Sequence, residues 1–492
     1  MKNIKKTISL FLALVLAVAL CACNASGDKG ATNSAKFDPT DPSIYTIDVV
    51  GAMQAGKSLG LLEERKEPEE VKKAADDLLK EIEEFPDTVK AKEGSKTYYV
   101  ANDGNDNNDG LSPEKPLKTI HAASIKTKSG DAVLLKRGDF WREAISGRDG
   151  VSYGAYGKGN KPTLYGSIDG LSLEWEQDEE NENIWKVDVG TSSDIGLMIF
   201  DHGKAFGNKK NKLSEVVQNY NFYFEKRGTT VYLYYDKGNP TEDFYSMEIG
   251  PNVCIVTPGG NSTIQNLRLM YTGGFGVSYG YKDEVMLQGL VIGYIGGSYM
   301  SGTVRYGNGV QLWASCDGHY IDHCHVYQCY DAGITPQFLK DSGTADVTEK
   351  NIKYTNNLLE YSVYNIEYFL HNTTGEFSDV EFSNNILRYA GYGWGTLSRP
   401  NKTTPANIQG GNSCKSENFV IKDNIFVHGY PRLIRIENTN NSPMPIFSGN
   451  TYIVNKTRNV FVTSKGTIAA KNSVGKTAEE IFGDKTGTLI IY

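Results

Sequence analysis

The segments IQNLRLMYTGGFGVSYG (264–280), YIDHCHVYQCYDAGITPQ (320–337), YTNNLLEYSVYNIEYF (354–369), FSNNILRYAGYGWGTL (382–397), IKDNIFVHGYPRLIRIE (421–437) and FSGNTYIVNKTRNVFV (447–462) share one weak pattern, and GNGVQLW (307–313) is a partial copy. Each carries an apolar residue, one or two asparagines or a polar substitute and a second apolar residue, then a later Gly or Asn before another apolar residue. Aligned, they stack Val277, Val310, Ile334, Ile366, Trp394 and Ile434 in one column at intervals of 33, 24, 32, 28 and 40 residues. Periods of this size mark a solenoid, whose units are too small to bury their own apolar face and must stack on their neighbours. Each copy holds two or three short strands and no helix-period run, so successive coils should pair through backbone hydrogen bonds about 4.8 Å apart. The sequence therefore predicts an all-β chain, a parallel β-helix with equivalent residues stacked along its axis. Asn266, Asn357, Asn385, Asn424 and Asn450 fall at the corner before a strand, where stacked amides can satisfy one another and the bent backbone.

The β-rich texture starts at Lys96, and the solenoid is expected over 96–470. Residues 171–247 interrupt it. There FYFEKRGTTVYLYYDKGNP (222–240) sets two alternating strands around Arg227-Gly228, a hairpin signal, so an inserted small β-subdomain is expected. The loop ANDGNDNNDG (101–110) offers calcium-type oxygens, but position six of an EF-hand register begun at Asp103 is Asn108 rather than glycine, and a structural loop is expected. Before the solenoid, PEEVKKAADDLLKEIEEF (68–85) places Val71, Ala75, Leu78, Leu79, Ile82 and Phe85 at helical spacing between two prolines. This predicts a short amphipathic helix over 68–86 that packs on the domain after it.

The chain opens with MKNIKKTISLFLALVLAVALCAC (1–23), a lysine-rich start, an apolar run and small residues before a cysteine. Residues 1–22 read as a secretory leader. Leu20-Cys21-Ala22-Cys23 resembles the bacterial lipobox, which implies acylation of Cys23, a tether over 23–67, and an exported domain held at the outer face of the cytoplasmic membrane. Formal charge is 51 minus 59, or −8, and becomes −11 without Lys2, Lys5 and Lys6 of the leader. That balance argues against a nucleic-acid partner. Five cysteines beyond the lipobox, Cys254, Cys316, Cys324, Cys329 and Cys414, are odd in number and irregular in spacing, so they form no disulfide framework. Fifty-two glycines against 16 prolines favour tight turns over rigid linkers, and 30 tyrosines favour amphipathic rings suited to sheet surfaces and polar ligands.

The opening YYVANDGNDNNDGLSPEKPLKTIHAA (98–123), then DAVLLKRGDFWRE (131–143), then the Asn-centred coils, resemble the right-handed parallel β-helix proteins of the pectate-lyase-like superfamily, over roughly residues 96–465. The resemblance is specific for fold and weak for reaction, because that superfamily holds polysaccharide lyases, glycoside hydrolases, epimerases and non-catalytic adhesins. It implies a poly- or oligosaccharide ligand along an exposed sheet.

Strand parity then selects side chains. If the aligned column points inward, the next residues point outward, giving Ser278, Gln311, Thr335, Glu367, Gly395 and Arg435, and two positions on Gly280, Trp313, Gln337, Phe369, Leu397 and Glu437. Aromatic rings beside amides and a carboxylate suit sugars, with Gln311, Trp313, Gln337 and Arg305 as expected substrate contacts. Asp331, four residues before Thr335, also faces outward one coil before Glu367. Two carboxylates flanking such a strip are the equipment of a glycoside hydrolase, one donating a proton and the other attacking or activating water. An extended offset of four residues spans about 13 Å, and a corner at Gly333 is needed to bring the pair into the roughly 5 to 9.5 Å range that hydrolysis uses.

A glycoside hydrolase is thus the expected function, with Asp331 and Glu367 catalytic. The alternatives are a lyase cleaving a uronate polymer, with Arg305, His371, Arg388, Arg399, Arg432 and Arg435 as scattered candidates, or a non-catalytic glycan-binding lipoprotein. His323 and His325, two apart, would share a strand face near Asp322 and His319, but no third fixed ligand is identifiable, so no metal and no other cofactor is expected. A monomer is expected.

Overall fold

The computed structural model describes residues 38–52, 67–338, 347–371, 374–399, 405–412, 414–438, 445–463 and 465–492. The leader, Cys23 and most of the tether lie outside the described residues. Thr40–Tyr492 form one compact unit.

Among the described residues, three sheets of ten strands each run along the domain. One coil shows the plan. Ser262–Gln265 lies in the first sheet, Arg268–Thr272 in the second and Phe275–Gly280 in the third, and Val285–Gln288 returns to pair in parallel with Ser262–Gln265. The chain is a parallel β-helix. Its interior is a continuous apolar column in which Val277, Val310, Ile334, Ile366, Ile408 and Ile434 are in register and fully buried. Each such side chain contributes about 1.5–3 kcal/mol relative to exposure.

One member of the expected column is wrong. Ile408, not Trp394, pairs with Ile366, so Gln409 replaces Gly395 and Gly411 replaces Leu397 in the outward columns. The reason is an excursion. After Ile386–Arg388 the chain leaves the solenoid, Trp394–Ser398 forms a short helix, and Ala406–Asn412 is back in the third sheet. Trp394 is buried outside the coils, its ring 5.4 Å from that of Tyr330.

The amide ladder is present with one shift. Asn357 Nδ2 donates to Asn385 Oδ1 at 2.9 Å, Asn385 to Asn424 at 2.9 Å and Asn424 to Asn450 at 3.0 Å, and Asn450 ends the run on Asp484 at 3.0 Å. Asn266 stands one position earlier, in a left-handed corner (φ 55°) that Asn356, Asn384 and Asp423 occupy in later coils. Asn and Asp tolerate that conformation better than most residues.

The helix over 68–86 is observed as α1 (Glu69–Glu83), with Val71, Ala75, Leu78 and Ile82 buried. Glu83 pairs with the buried Arg268 of the second sheet at 2.9 Å. Residues 40–50 cover the same sheet. Many tyrosines prove to be core rather than surface: Tyr165 stacks on Tyr271, which packs tilted against Tyr294, and Tyr327 meets Tyr294 edge-on, since a ring with one polar tip can fill an interface and still find a partner, as Tyr45 and Tyr165 do at 3.0 Å. The interruption consists of small sheets built mainly from antiparallel strands between Ile168 and Pro251, and it includes the hairpin Asn221–Phe224/Thr230–Tyr234 with Arg227 in its turn at φ 65°. Among the described residues these five cysteines form no disulfide with one another.

Candidate functional site

Five strands of the third sheet form the floor of the candidate site: β1 (Val310–Trp313), β2 (Ala332–Phe338), β3 (Tyr364–Leu370), β4 (Ala406–Asn412) and β5 (Arg432–Asn438). All four neighbouring pairs are parallel. Because alternate side chains leave opposite faces, the outward column reads Gln311, Thr335, Glu367, Gln409 and Arg435, and beside it Trp313, Gln337, Phe369 and Gly411. Trp313 and Gln337 are half-buried and Phe369 is 38% exposed. Gln311 is mostly covered, with its Oε1 accepting from Asn308 Nδ2 at 3.1 Å. The ring of His371 stands edge-on to Phe369 with centroids 4.0 Å apart.

Asp331 occupies the corner before β2. Its backbone N–H donates to Gly307 O at 3.1 Å, and its carbonyl accepts from Tyr364 N at 3.0 Å, which fixes the corner to the coils on either side. Its Oδ1 accepts from Arg399 Nη1 at 2.6 Å, with both side chains largely covered. Glu367 keeps some contact with solvent, and its Oε2 accepts from Gln337 Nε2 at 3.4 Å.

The structure brings Asp331 and Glu367 into one electrostatic unit. Burial, first, and then the charge of Asp331 push the Glu367 carboxyl up to about 8, while Arg399, Arg435 and the Gln337 amide pull the other way. Burial alone would lower the Arg399 guanidinium, but the Asp331 carboxylate more than compensates and raises it. The result is one carboxyl that keeps its proton near neutral pH beside another held as an ion pair, the arrangement that separates an acid from a base.

Arg305 is a correction. It is not on the groove surface but 4% exposed, with Nε donating to Gly297 O at 2.6 Å, Nη1 to Ser398 O at 3.2 Å and Nη2 to Gly196 O at 3.4 Å. Backbone carbonyls take its guanidinium, so it has no free face for a sugar. The histidine pair also separates. His323 sits at a left-handed corner (φ 48°), so parity fails there, with Nδ1 2.9 Å from Asp322. His325 is buried with Glu360 at 2.9 Å, and Glu360 in turn accepts from Arg388 Nε. Among the described residues no three His, Cys, Asp or Glu side chains converge to hold a metal ion. The loop carboxylates are occupied too: Asp106 accepts from Lys118 N, Thr119 N and Thr119 Oγ1, and Asp103 pairs with Lys136.

The sequence understated Arg399, which it offered only as one scattered cation, and missed Gln409 altogether. Both positions depend on the excursion, whose length no coil spacing constrains.

No protein-family model and no curated protein sequence matches the chain. Among solved structures it is similar to XylC in complex with xylose, at 10% identity over 73% of this chain and 68% of that one, with a TM-score of 0.42. It is also similar to pectate lyase Pel9A, at 12% identity over 75% and 70%, TM-score 0.40. The GH136 lacto-N-biosidase from Eubacterium ramulus follows at 14% identity over 81% and 68%, TM-score 0.36. At such scores the reaction has to be argued from the groove itself.

Proposed function

We propose that this protein is a carbohydrate-active enzyme, a glycoside hydrolase acting on an oligo- or polysaccharide bound over β1–β5. Glu367 is the general acid, and Asp331 is the carboxylate that attacks the anomeric carbon or activates water. The observation that carries this reading is the opposed environments of the two carboxylates on one groove floor. In the reaction Glu367 gives its proton to the glycosidic oxygen as the carbon–oxygen bond breaks. The positive charge that develops on the sugar ring is met by Asp331 or by the water it deprotonates; if Asp331 forms a covalent intermediate, one water, deprotonated by Glu367, cleaves it and restores both carboxyls. Trp313 and Phe369 offer apolar faces to sugar rings, and Gln337 and Gln311 offer amides at the floor.

Asp331→Asn and Glu367→Gln, assayed separately on a panel of plant and host glycans with products read by mass spectrometry, test the assignment. Each should abolish release of sugars, and wild-type turnover in both would remove this site. Wild-type turnover should fall as pH rises past about 8, where Glu367 loses its proton. Ultraviolet absorbance from an unsaturated product would instead identify a lyase, and binding on a glycan array without turnover a non-catalytic receptor. The leader and lipobox support attachment of the enzyme to the outer face of the cytoplasmic membrane, and Cys23→Ser should release it into the medium.

A further inference from the structure

We propose that Arg399, held in place by Arg305 through the carbonyl of Ser398 and beside the ring of Tyr330, is the positioning residue for the Asp331 carboxylate, a role that rests on Asp331 and Glu367 being the reacting pair.

The excursion that follows Ile386–Arg388 is anchored along its described part. At its start, Trp394 donates its backbone N–H to Gln328 Oε1 at 2.9 Å and its indole N–H to Gln328 O at 2.7 Å. At its end, Arg305 Nη1 holds the carbonyl of Ser398 at 3.2 Å. Arg305 also ties Gly297, beside the hairpin Ser298–Ser301/Val304–Tyr306, and Gly196 of the inserted strand Ile195–Phe200. One side chain therefore joins three segments that have no mutual register. The residue after Ser398 is Arg399. Its Nη1 reaches both Asp331 Oδ1 at 2.6 Å and Tyr330 O at 3.4 Å. The buried Tyr330 ring is in reach of both guanidinium groups, 4.5 Å from Arg305 Cζ and 5.5 Å from Arg399 Cζ.

Stability alone does not account for Arg305. A buried cation satisfied by carbonyls alone carries a desolvation cost that an apolar side chain of similar volume avoids. Such costs persist where geometry is being held for function. Here the geometry is the rotamer of Asp331. The ion pair engages Oδ1 and fixes where the carboxylate points.

The test uses the full chain with Arg399→Gln, Arg399→Lys and Arg305→Lys. Thermal midpoints are measured first. Carbodiimide coupling of glycine ethyl ester, which requires a protonated carboxyl, is then mapped at Glu367 against pH by peptide mass spectrometry, and needs no substrate. Arg399→Gln should move the Glu367 labelling midpoint up by about one pH unit, because the cation that favoured its charged form is gone. On the glycan identified by the panel, kcat should fall at least tenfold with KM within twofold. Arg399→Lys should bring the labelling midpoint back toward wild type. Arg305→Lys should move midpoint and kcat in the same direction as Arg399→Gln. A wild-type midpoint and kcat in Arg399→Gln overturns the proposal, as does an Arg305→Lys protein that loses only thermal stability. If Arg305→Lys does not fold, the Arg399 pair decides. Should Asp331→Asn and Glu367→Gln keep turnover, the hydrolase reading fails, while the labelling shift still judges the clamp.

Discussion

Replacing Asn385 with alanine isolates what one rung of the amide ladder contributes. Asn385 Nδ2 donates to Asn424 Oδ1 at 2.9 Å and to Tyr354 O at 2.8 Å, and its Oδ1 accepts from the backbone N–H and side-chain amide of Asn357 at 3.0 and 2.9 Å. Two partners survive the change. The Asn385 backbone still donates to Asn424 Oδ1 at 2.9 Å, and Asn357 Nδ2 still reaches Ile321 O at 3.0 Å. The backbone N–H of Asn357 and the carbonyl of Tyr354 each lose a side-chain partner, and buried polar groups left unsatisfied cost about 1–3 kcal/mol each. Loss of the side-chain volume adds roughly 1 kcal/mol. The expected loss is therefore about 3–7 kcal/mol, a large share of a typical total. Urea unfolding followed by far-ultraviolet circular dichroism and by tyrosine fluorescence gives the midpoint and slope, and coincidence of the two probes tests two-state behaviour. A loss below about 1 kcal/mol at unchanged slope would mean that water replaces the amide at the corner, and the claim that the ladder fixes the coil would fall.

Two further predictions address the interior and the groove. Glu349 is fully buried inside the solenoid, and burial holds its carboxyl well above the ordinary carboxylate range. The folded state therefore binds a proton that the unfolded state releases above about pH 4.3, so this group costs stability progressively as pH rises. Glu349→Gln should gain thermal midpoint over wild type at pH 8 and gain less at pH 5, and equal differences at both would refute the assignment. Trp313→Ala should raise KM about fivefold, the effect of losing one aromatic contact of roughly 1 kcal/mol, with kcat within twofold. An unchanged KM would place the sugar elsewhere on the sheet.

The coil column was legible because parallel pairing repeats the same inward position at every turn, so five of its six aligned residues could be found without knowing a single loop. Trp394 misled because it is apolar, follows a glycine and is fully buried, which are the marks of a coil residue. It is buried against Tyr330 and Gln328 on the outside of the solenoid. Tyrosine was misread for a related reason: composition does not distinguish a ring stacked under a covering segment from a ring facing sugar. Asn266 shows the limit of a motif one residue wide, since the left-handed corner and the ladder site both accept asparagine and lie side by side.

The groove divides along the same line. Glu367, Gln337, Trp313 and Phe369 lie in strands, where period two fixes the face, and the sequence placed all four correctly in the outward columns. Asp331 lies one residue outside its strand and Arg399 lies in the excursion, where no period applies. Their ion pair nevertheless acts on the electrostatics of Glu367, Asp331 raising its carboxyl and Arg399 lowering it. Coil register can bring acids to a common face, and how far each is buried and which charges lie beside it then set which one holds the proton. Here a group outside the repeat, Arg399, also acts on the pair. In a solenoid the natural source of such a group is an excursion between strands, which can vary in length without disturbing the stack. Arg399 lies on such an excursion, and Arg399→Gln should shift the pH at which Glu367 loses its proton before it alters the fold, which labelling against pH beside a thermal midpoint would read.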